Sequence, residues 1–346
     1  MKQLIDRLAE MHSLTQEEWY KLLTCYNKKT AAYAAEKARK TAQSRFGNNI
    51  YIRGLIEFTN ICKNDCYYCG LRASNAKCRR YRLTPEDILS CCQNGYRLGF
   101  RTFVLQGGED PGFSDETLCN VVQTIKQAYP DCAVTLSVGE RPRRVYEDFK
   151  KAGADRYLLR HETADDDHYR QLHPESLSPA VRKQCIYDLK ELGFQVGTGF
   201  LVGSPFQKAE HICADLLFIQ HLMPQMIGIG PFIPHQDTPF AGEPAGSLEL
   251  TLFLISLLRL LHPNALIPAT TAIGTLQEGG REQAILCGAN VVMPNLSPSD
   301  HRKDYSLYNN KLTDGAEAAE SRDALDARLN AIGYRTVTDR GDYQSR

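Results

Sequence analysis

Charge is the first thing the sequence lacks. Its 346 residues carry 41 basic and 41 acidic side chains, a formal net charge of zero. This removes the electrostatic footprint of a nucleic-acid binder or of a polybasic membrane binder. The N-terminus, MKQLIDRLAEMHSL, has charges among its apolar residues and no uninterrupted apolar core. It reads neither as a signal peptide nor as a spanning helix, and a cytoplasmic location is the expectation. A dinucleotide fingerprint is missing too, because no GxGxxG follows the first apolar, β-rich run at Tyr51–Phe58. Low-complexity linkers are absent, and no cysteine follows Cys287.

Cysteine itself is abundant, with 12 in the chain. Without an export signal that number argues against a disulfide framework and leaves metal ligands, catalytic thiols or buried small hydrophobes. Cys91, Cys92, Cys119, Cys132, Cys185, Cys213 and Cys287 lie among Leu, Ile and Val and read as core residues. Cys25 and Cys78 stand alone and carry no assigned role.

A chain of this length fits two domains or one large barrel. The first forty-odd residues predict helices, with Thr15 as an N-cap and Gly47 as a C-cap. From Ile50 a β-rich run, a loop and an amphipathic stretch recur: YIRGLIEF, RTFVLQ, CAVTLSV, DRYLLRH, FQVGTGFLVG, MIGIG, ALIPATTA and NVVMP, each separated by a helical pattern. Eight such units call for parallel strands with right-handed crossovers, an α/β fold of the (β/α)8 TIM-barrel kind. A doubly wound open sheet is the alternative. The expected divisions are an N-terminal helical segment, 1–48, a barrel, 49–300, and a closing segment, 301–346, with a short helix and irregular chain.

Directly after the first strand the chain reads ICKNDCYYCGL, placing Cys62, Cys66 and Cys69 at C-x3-C-x2-C spacing. Structural zinc takes four protein ligands, and the second CxxC is missing. A redox CxxC leaves Cys62 unexplained. Three thiolates suit three irons of a 4Fe-4S cluster and leave one iron open for a substrate or cofactor. Polar Lys63, Asn64 and Asp65 between the thiols count against a chance cluster of core cysteines.

This loop resembles the cluster motif of the radical SAM enzymes, in which S-adenosylmethionine (SAM) chelates the open iron. The resemblance implies one 4Fe-4S cluster and SAM as cofactors, with Tyr68 beside the adenine. The second strand ends in VLQGGEDP, where Gln106, Gly107, Gly108 and Glu109 match the superfamily's GGE-type motif that meets the methionine amine. Alone, two glycines after a strand are more often a turn. The third strand brings Thr135, Ser137 and Glu140 to the mouth, and the fourth delivers Arg160, His161 and Glu162 together. An isolated Arg–Glu pair is ordinarily structural. At the C-terminal ends of barrel strands the reading shifts to substrate or SAM: Glu162 as an acceptor for ribose hydroxyls or the amine, Arg182 as a forked clamp on the SAM carboxylate. His161 is assigned no role, since a histidine beside a barrel strand often only supports its neighbours.

The later strands narrow the resemblance. FLVGSPFQ, MIGIGPFIPHQDTPFAGE, IPATTAIGTLQ, VVMPNLSP and LRHETAD together are similar to the radical SAM maturases of FeFe-hydrogenases, the HydE family, over about residues 45 to 312. GPFIPHQDTP is a proline-fixed loop in which His235 and Asp237 have no assigned chemistry. Thr135, Arg160, Thr270, Thr271, Met293, Tyr305 and Tyr308 are the residues expected to meet substrate; no side chain is assigned a catalytic role. The family resemblance implies a small cysteine-ligated iron complex with carbonyl and cyanide ligands as substrate. It implies other hydrogenase maturases and a ferredoxin or flavodoxin as partners, with no nucleic acid and no membrane. Some members carry a second, C-terminal cluster; with no cysteine after Cys287, none is expected here. The alternatives are an amino-acid radical enzyme such as methylornithine synthase, and a non-catalytic iron-sulfur scaffold. A biotin synthase would need further cysteines on the later strands, and a structural zinc protein a fourth ligand.

Overall fold

The computed structural model describes residues 1–345. Its first three helices, Lys2–Met11, Gln16–Cys25 and Lys28–Phe46, begin and end where capping chemistry dictates. Thr15 accepts from Glu18 N–H while Glu18 caps Thr15 N–H, a reciprocal capping box. The third helix stops at Gly47, whose φ of 60° suits a residue without Cβ. Trp19, fully buried, donates Nε1–H to Gln220 Oε1 at 3.3 Å and so ties these helices to the outside of the barrel.

β1 (Asn49–Ile52) and β2 (Gly54–Thr59) form the first stave. β3 (Thr102–Gly107), β4 (Ala133–Ser137), β5 (Arg156–Leu158) and β6 (Gln195–Thr198) follow. β7 (Leu201–Val202) extends the fifth stave, and β8 (Met226–Ile227) with β9 (Gly230–Pro231) makes the sixth. β2, β3, β4, β5, β6 and β8 pair in that order, all parallel, and β7 pairs β9. The ring closes through Met226–Leu266 and Pro268–Val291 bridges, through β10 (Val291–Val292) against β1, and through a Leu55–Asn295 bridge. All six residues of β2 are buried, as expected of a parallel strand covered on both faces.

Two expectations need correction. The seventh stave, ALIPATTA, is no regular strand: Pro268 has no N–H to give a ladder, so only isolated bridges form. Thr270 instead precedes, and Thr271 begins, the helix Thr271–Leu276. The tail is also more ordered than expected. Beyond the helix Arg322–Ala331, β11 (Arg335–Val337) pairs in parallel with β1.

The residues after β11 close the bottom of the barrel. Arg156, fully buried, donates Nη2–H to Asp342 Oδ1 (2.6 Å) and Arg340 O (2.7 Å), and Nη1–H to Thr102 Oγ1 (3.0 Å). Burial works to raise the Asp342 pKa, but the Arg340 hydrogen bond and the Arg156 charge outweigh it and hold the carboxyl at about 2, below its ordinary 3.8. A depressed folded pKa stabilises above the unfolded value and is lost as pH falls through the folded one. Acid titration of the melting temperature is therefore expected to show a loss between about pH 4 and pH 2 that shrinks in Asp342→Asn.

Candidate active site

The three cysteines lie on the loop that leaves β2 at the C-terminal end of the barrel, and all three are free and half-buried. Side-chain bonds from their neighbours fix this loop. Asp65 accepts Arg72 Nε–H (2.7 Å), Ser74 N–H (3.0 Å) and Ser74 Oγ–H (2.7 Å), and Arg72 holds the Asp65 carboxyl well below the usual range. Arg80 donates to the carbonyls of Asn60 (2.6 Å), Leu71 (2.9 Å) and Arg72 (2.6 Å). Backbone bonds then tie the loop to three other elements: Lys63 N–H to Glu109 O (2.9 Å), Tyr67 N–H to Leu172 O (3.0 Å) and Gly70 N–H to Leu307 O (2.9 Å). Gly70 is a close approach, since a Cβ there would overlap Ser306 O and meet His235 Cδ2 at 2.5 Å.

The Gln106–Glu109 turn packs directly on this loop. A Cβ on Gly108 would overlap Ile61 O and reach Cys62 Cβ at 2.8 Å, and one on Gly107 would reach Thr59 Cγ2 at 2.7 Å. Gly108→Ala is expected to cost about 1–3 kcal/mol by overpacking and to lower the iron bound on reconstitution, read by thermal melting and iron analysis. The Glu109 carboxylate accepts Glu140 N–H (3.0 Å) and lies 3.3 Å from Lys63 Nζ, so it braces two loops. Tyr68 lies 3.1 Å from His173 Nε2, and His173 Nδ1 lies 2.9 Å from Tyr169 O. A carbonyl only accepts, so Nδ1 carries the proton and Tyr68 O–H donates to Nε2. Burial keeps His173 neutral, its pKa lowered to about 3.

Arg182 is buried, with Nε donating to Glu140 Oε1 and Nη1 to Arg160 O (2.9 Å). Two of its donors are thus engaged within the protein, which leaves less of the fork than a free bidentate clamp offers. Ser137 ends β4 beside Gln106. Gln106 Nε2–H in turn donates to Tyr305 Oη (3.3 Å).

Four of the sequence-predicted residues have buried polar atoms without a hydrogen-bond partner: Thr135 Oγ1, Arg160 Nε and Nη2, Glu162 Oε2 and Thr270 Oγ1. Arg160 Nη2 and Glu162 Oε2 are 3.0 Å apart as charges without hydrogen-bonding geometry. Buried polar groups are rarely left unmet. These four residues stand at or beyond the third, fourth and seventh staves, on the side of the barrel that receives a ligand. Thr271 is committed elsewhere, to Glu317 Oε2 at 2.9 Å. Met293 packs toward the interior layer of Met226, Leu266 and Val291. Tyr305 is buried under the segment that follows the eighth stave, and burial raises the Tyr308 phenol pKa. Asp237 is paired with exposed Lys77 at 2.8 Å, and His235 accepts Asp237 N–H at 3.1 Å, so both serve the loop.

Sequence reasoning missed a buried ion pair here. Lys311 Nζ donates to Glu57 Oε1 and to Tyr305 O (3.0 Å), and Asn295 Nδ2–H donates to Glu57 Oε2 (2.8 Å). The available signal was Glu57 itself, a carboxylate inside the wholly buried strand GLIEFT. The His173 support for Tyr68 was also missed, and no pattern in the sequence marks it.

Residues 56–219 match the model of the radical SAM superfamily. The chain is 43% identical over 311 residues to the FeFe hydrogenase maturase subunit HydE of Thermotoga maritima, covering 90% of this chain and 88% of that protein. The chain belongs to the HydE family of radical SAM enzymes. It is also 28% identical to the 3-methylornithine synthase of Methanosarcina barkeri, over 89% of this chain and 87% of that one. A crystal structure of methylornithine synthase superposes with a TM-score of 0.83 at 28% identity, covering 96% of this chain and 97% of the other. Membership in the HydE family makes a 4Fe-4S cluster and SAM the cofactors.

The cysteine loop fits the cluster. Among the described residues, no three His, Cys, Asp or Glu side chains converge on a single ion. Burial raises all three thiol pKa values, Cys69 to about 12, so a cationic centre would supply the counter-charge that thiolate ligands need here. No helix among the described residues is long and apolar enough to cross a membrane.

Proposed function

We propose that this HydE-family chain serves FeFe-hydrogenase maturation by a radical step on a small iron complex enclosed in its barrel. The identity to a hydrogenase maturase across nearly its full length is the observation that carries this reading. Cys62, Cys66 and Cys69 hold the cluster, and Tyr68, kept in place by His173, flanks the adenine. The Gln106–Glu109 backbone receives the methionine amine, Ser137 and Glu162 take SAM hydroxyls or the amine, and Arg182 contributes charge near the carboxylate. Bound there, the reduced cluster and SAM would supply one-electron cleavage of the sulfonium, the source of 5′-deoxyadenosyl radical chemistry.

The chain's own residues then orient substrate and exclude water. Thr135, Thr270 and Arg160 offer donors suited to carbonyl and cyanide ligands, the groups whose partners are missing in the protein alone. Thr271, Met293, Tyr305 and Tyr308 complete the enclosure, with Gln106 fixing Tyr305. A closed barrel keeps competing reactions from the radical. The proposed partners are the other hydrogenase maturases and a ferredoxin or flavodoxin as electron donor, in the cytoplasm.

The test is cell-free maturation of an apo FeFe-hydrogenase in an extract lacking its HydE-type maturase. Adding this protein, anaerobically reconstituted, is expected to restore hydrogen evolution, and Arg160→Leu to restore far less. No restored activity, with conversion of lysine to methylornithine in its place, would assign the chain to the amino-acid branch of its relatives.

A further inference from the structure

Arg160 and Glu162 face each other as charges 3.0 Å apart, yet Arg160 Nε and Nη2 and Glu162 Oε2 make no hydrogen bond, and Glu162 sits on a backbone that L-residues avoid. Glu162 has φ 63°, a left-handed conformation that costs a non-glycine residue about 1–3 kcal/mol and persists only where surrounding structure enforces it. The backbone on both sides is bonded to the next stave: Glu162 N–H to Gly199 O (3.1 Å) and Leu201 N–H to Glu162 O (3.1 Å).

The intervening His161 side chain lies between the barrel wall and the helix Ala209–Leu222, and it is 1% exposed. Its Nδ1 is 2.9 Å from Thr198 Oγ1, which also accepts His161 N–H at 3.2 Å. Its Nε2 lies 3.2 Å from Asp215 Oδ1 without hydrogen-bonding geometry, and its ring lies against Phe218 with centroids 4.8 Å apart. Asp215 Oδ1 also accepts the N–H of Ala164 at 2.5 Å. Burying a carboxylate on so apolar a helix is costly unless it serves a fixed geometry. Thr198, through His161, and Asp215, through Ala164 N–H, therefore grip the chain before and after the left-handed Glu162.

We propose that His161, Thr198 and Asp215 are positioning residues: together they hold Glu162 in its left-handed conformation, turn its carboxylate and the Arg160 guanidinium toward the ligand side of the barrel, and so set the affinity for SAM. This rests on the assignment of Glu162 to SAM. A packed, satisfied core histidine without this role would affect stability alone.

The experiment measures SAM dissociation constants of the anaerobically reconstituted protein by equilibrium dialysis, with melting temperature and amide hydrogen exchange alongside. Asp215→Leu and Thr198→Val are each expected to weaken SAM binding roughly tenfold, the scale of one lost buried hydrogen bond. Asp215→Asn, which keeps the acceptor for Ala164 N–H, is expected to restore it to within about threefold. Glu162→Gln weakens binding by itself, and adding Asp215→Leu to it is expected to cost less than about twofold more, because one acts through the other. The metal-free Thr198→Val protein should exchange the Thr163 and Leu201 amides faster than wild type. Losses that multiply in the double variant, or wild-type affinity in Asp215→Leu and Thr198→Val, overturn the positioning role. Wild-type affinity in Glu162→Gln overturns the assignment of Glu162, a distinct failure. Should Asp215→Leu not fold, the isosteric Thr198→Val, alone and combined with Glu162→Gln, decides the question.

Discussion

Cys66→Ala is expected to reduce cluster binding and 5′-deoxyadenosine formation to the level of a blank, with little change in melting temperature. The separation follows from how the loop is built. Its shape comes from Asp65 with Arg72 and Ser74, from Arg80 on three carbonyls, and from backbone bonds to Glu109, Leu172 and Leu307. None of these bonds uses the Cys66 sulfur, so the loop keeps its form when the thiol is removed. A cluster iron loses a thiolate that nothing nearby replaces. The converse holds for Cys92, fully buried on the helix Pro85–Arg97. Cys92→Ala is a core truncation, expected to cost about 1 kcal/mol while leaving iron content intact. Iron analysis and thermal melting of the two variants side by side distinguish ligand from core thiol.

Lys311→Ala is expected to cost about 3–5 kcal/mol of stability, because it leaves Glu57, 1% exposed, short of its cation. Asn295 still donates to Glu57, but one neutral amide offsets a fraction of the loss. Replacing both partners, Glu57→Gln with Lys311→Met, removes the uncompensated charge and is expected to recover most of it. Denaturant unfolding of the singles and the double measures the coupling. Equal losses in Lys311→Ala and in the double variant would show that the pair contributes packing and little else. Tyr305 is expected to loosen in the single variant, since its carbonyl is also held by Lys311 and its hydroxyl by Gln106.

Most of the barrel was legible because parallel staves leave apolar runs between amphipathic stretches, and that pattern is local. The seventh stave was only half legible, since Pro268 removes a ladder donor and the stave survives as single bridges. β11 was not legible at all. Arg335–Val337 is short and partly exposed, and it becomes a strand only because β1 offers it an edge.

The candidate site divides the same way. The cysteine loop was legible because its three thiols sit on one loop, and the GGE turn because it falls on the neighbouring stave. The grips of Thr198 on His161 and of Asp215 on Ala164 N–H join residues 37 and 51 positions apart, and the Lys311–Glu57 pair spans 254 positions, so no short window of sequence contains any of them. Arg182 was expected to meet SAM from its place in the chain, yet its bonds to Glu140 and Arg160 O are visible only in three dimensions.

The most direct test of the radical assignment is spectroscopic. The protein is reconstituted anaerobically with iron and sulfide, reduced, and its EPR spectrum is recorded before and after SAM, with 5′-deoxyadenosine followed by chromatography. A cluster signal that changes on adding SAM, together with deoxyadenosine that Cys66→Ala does not produce, is the predicted result. A cluster indifferent to SAM, or tightly bound zinc in its place, would contradict it.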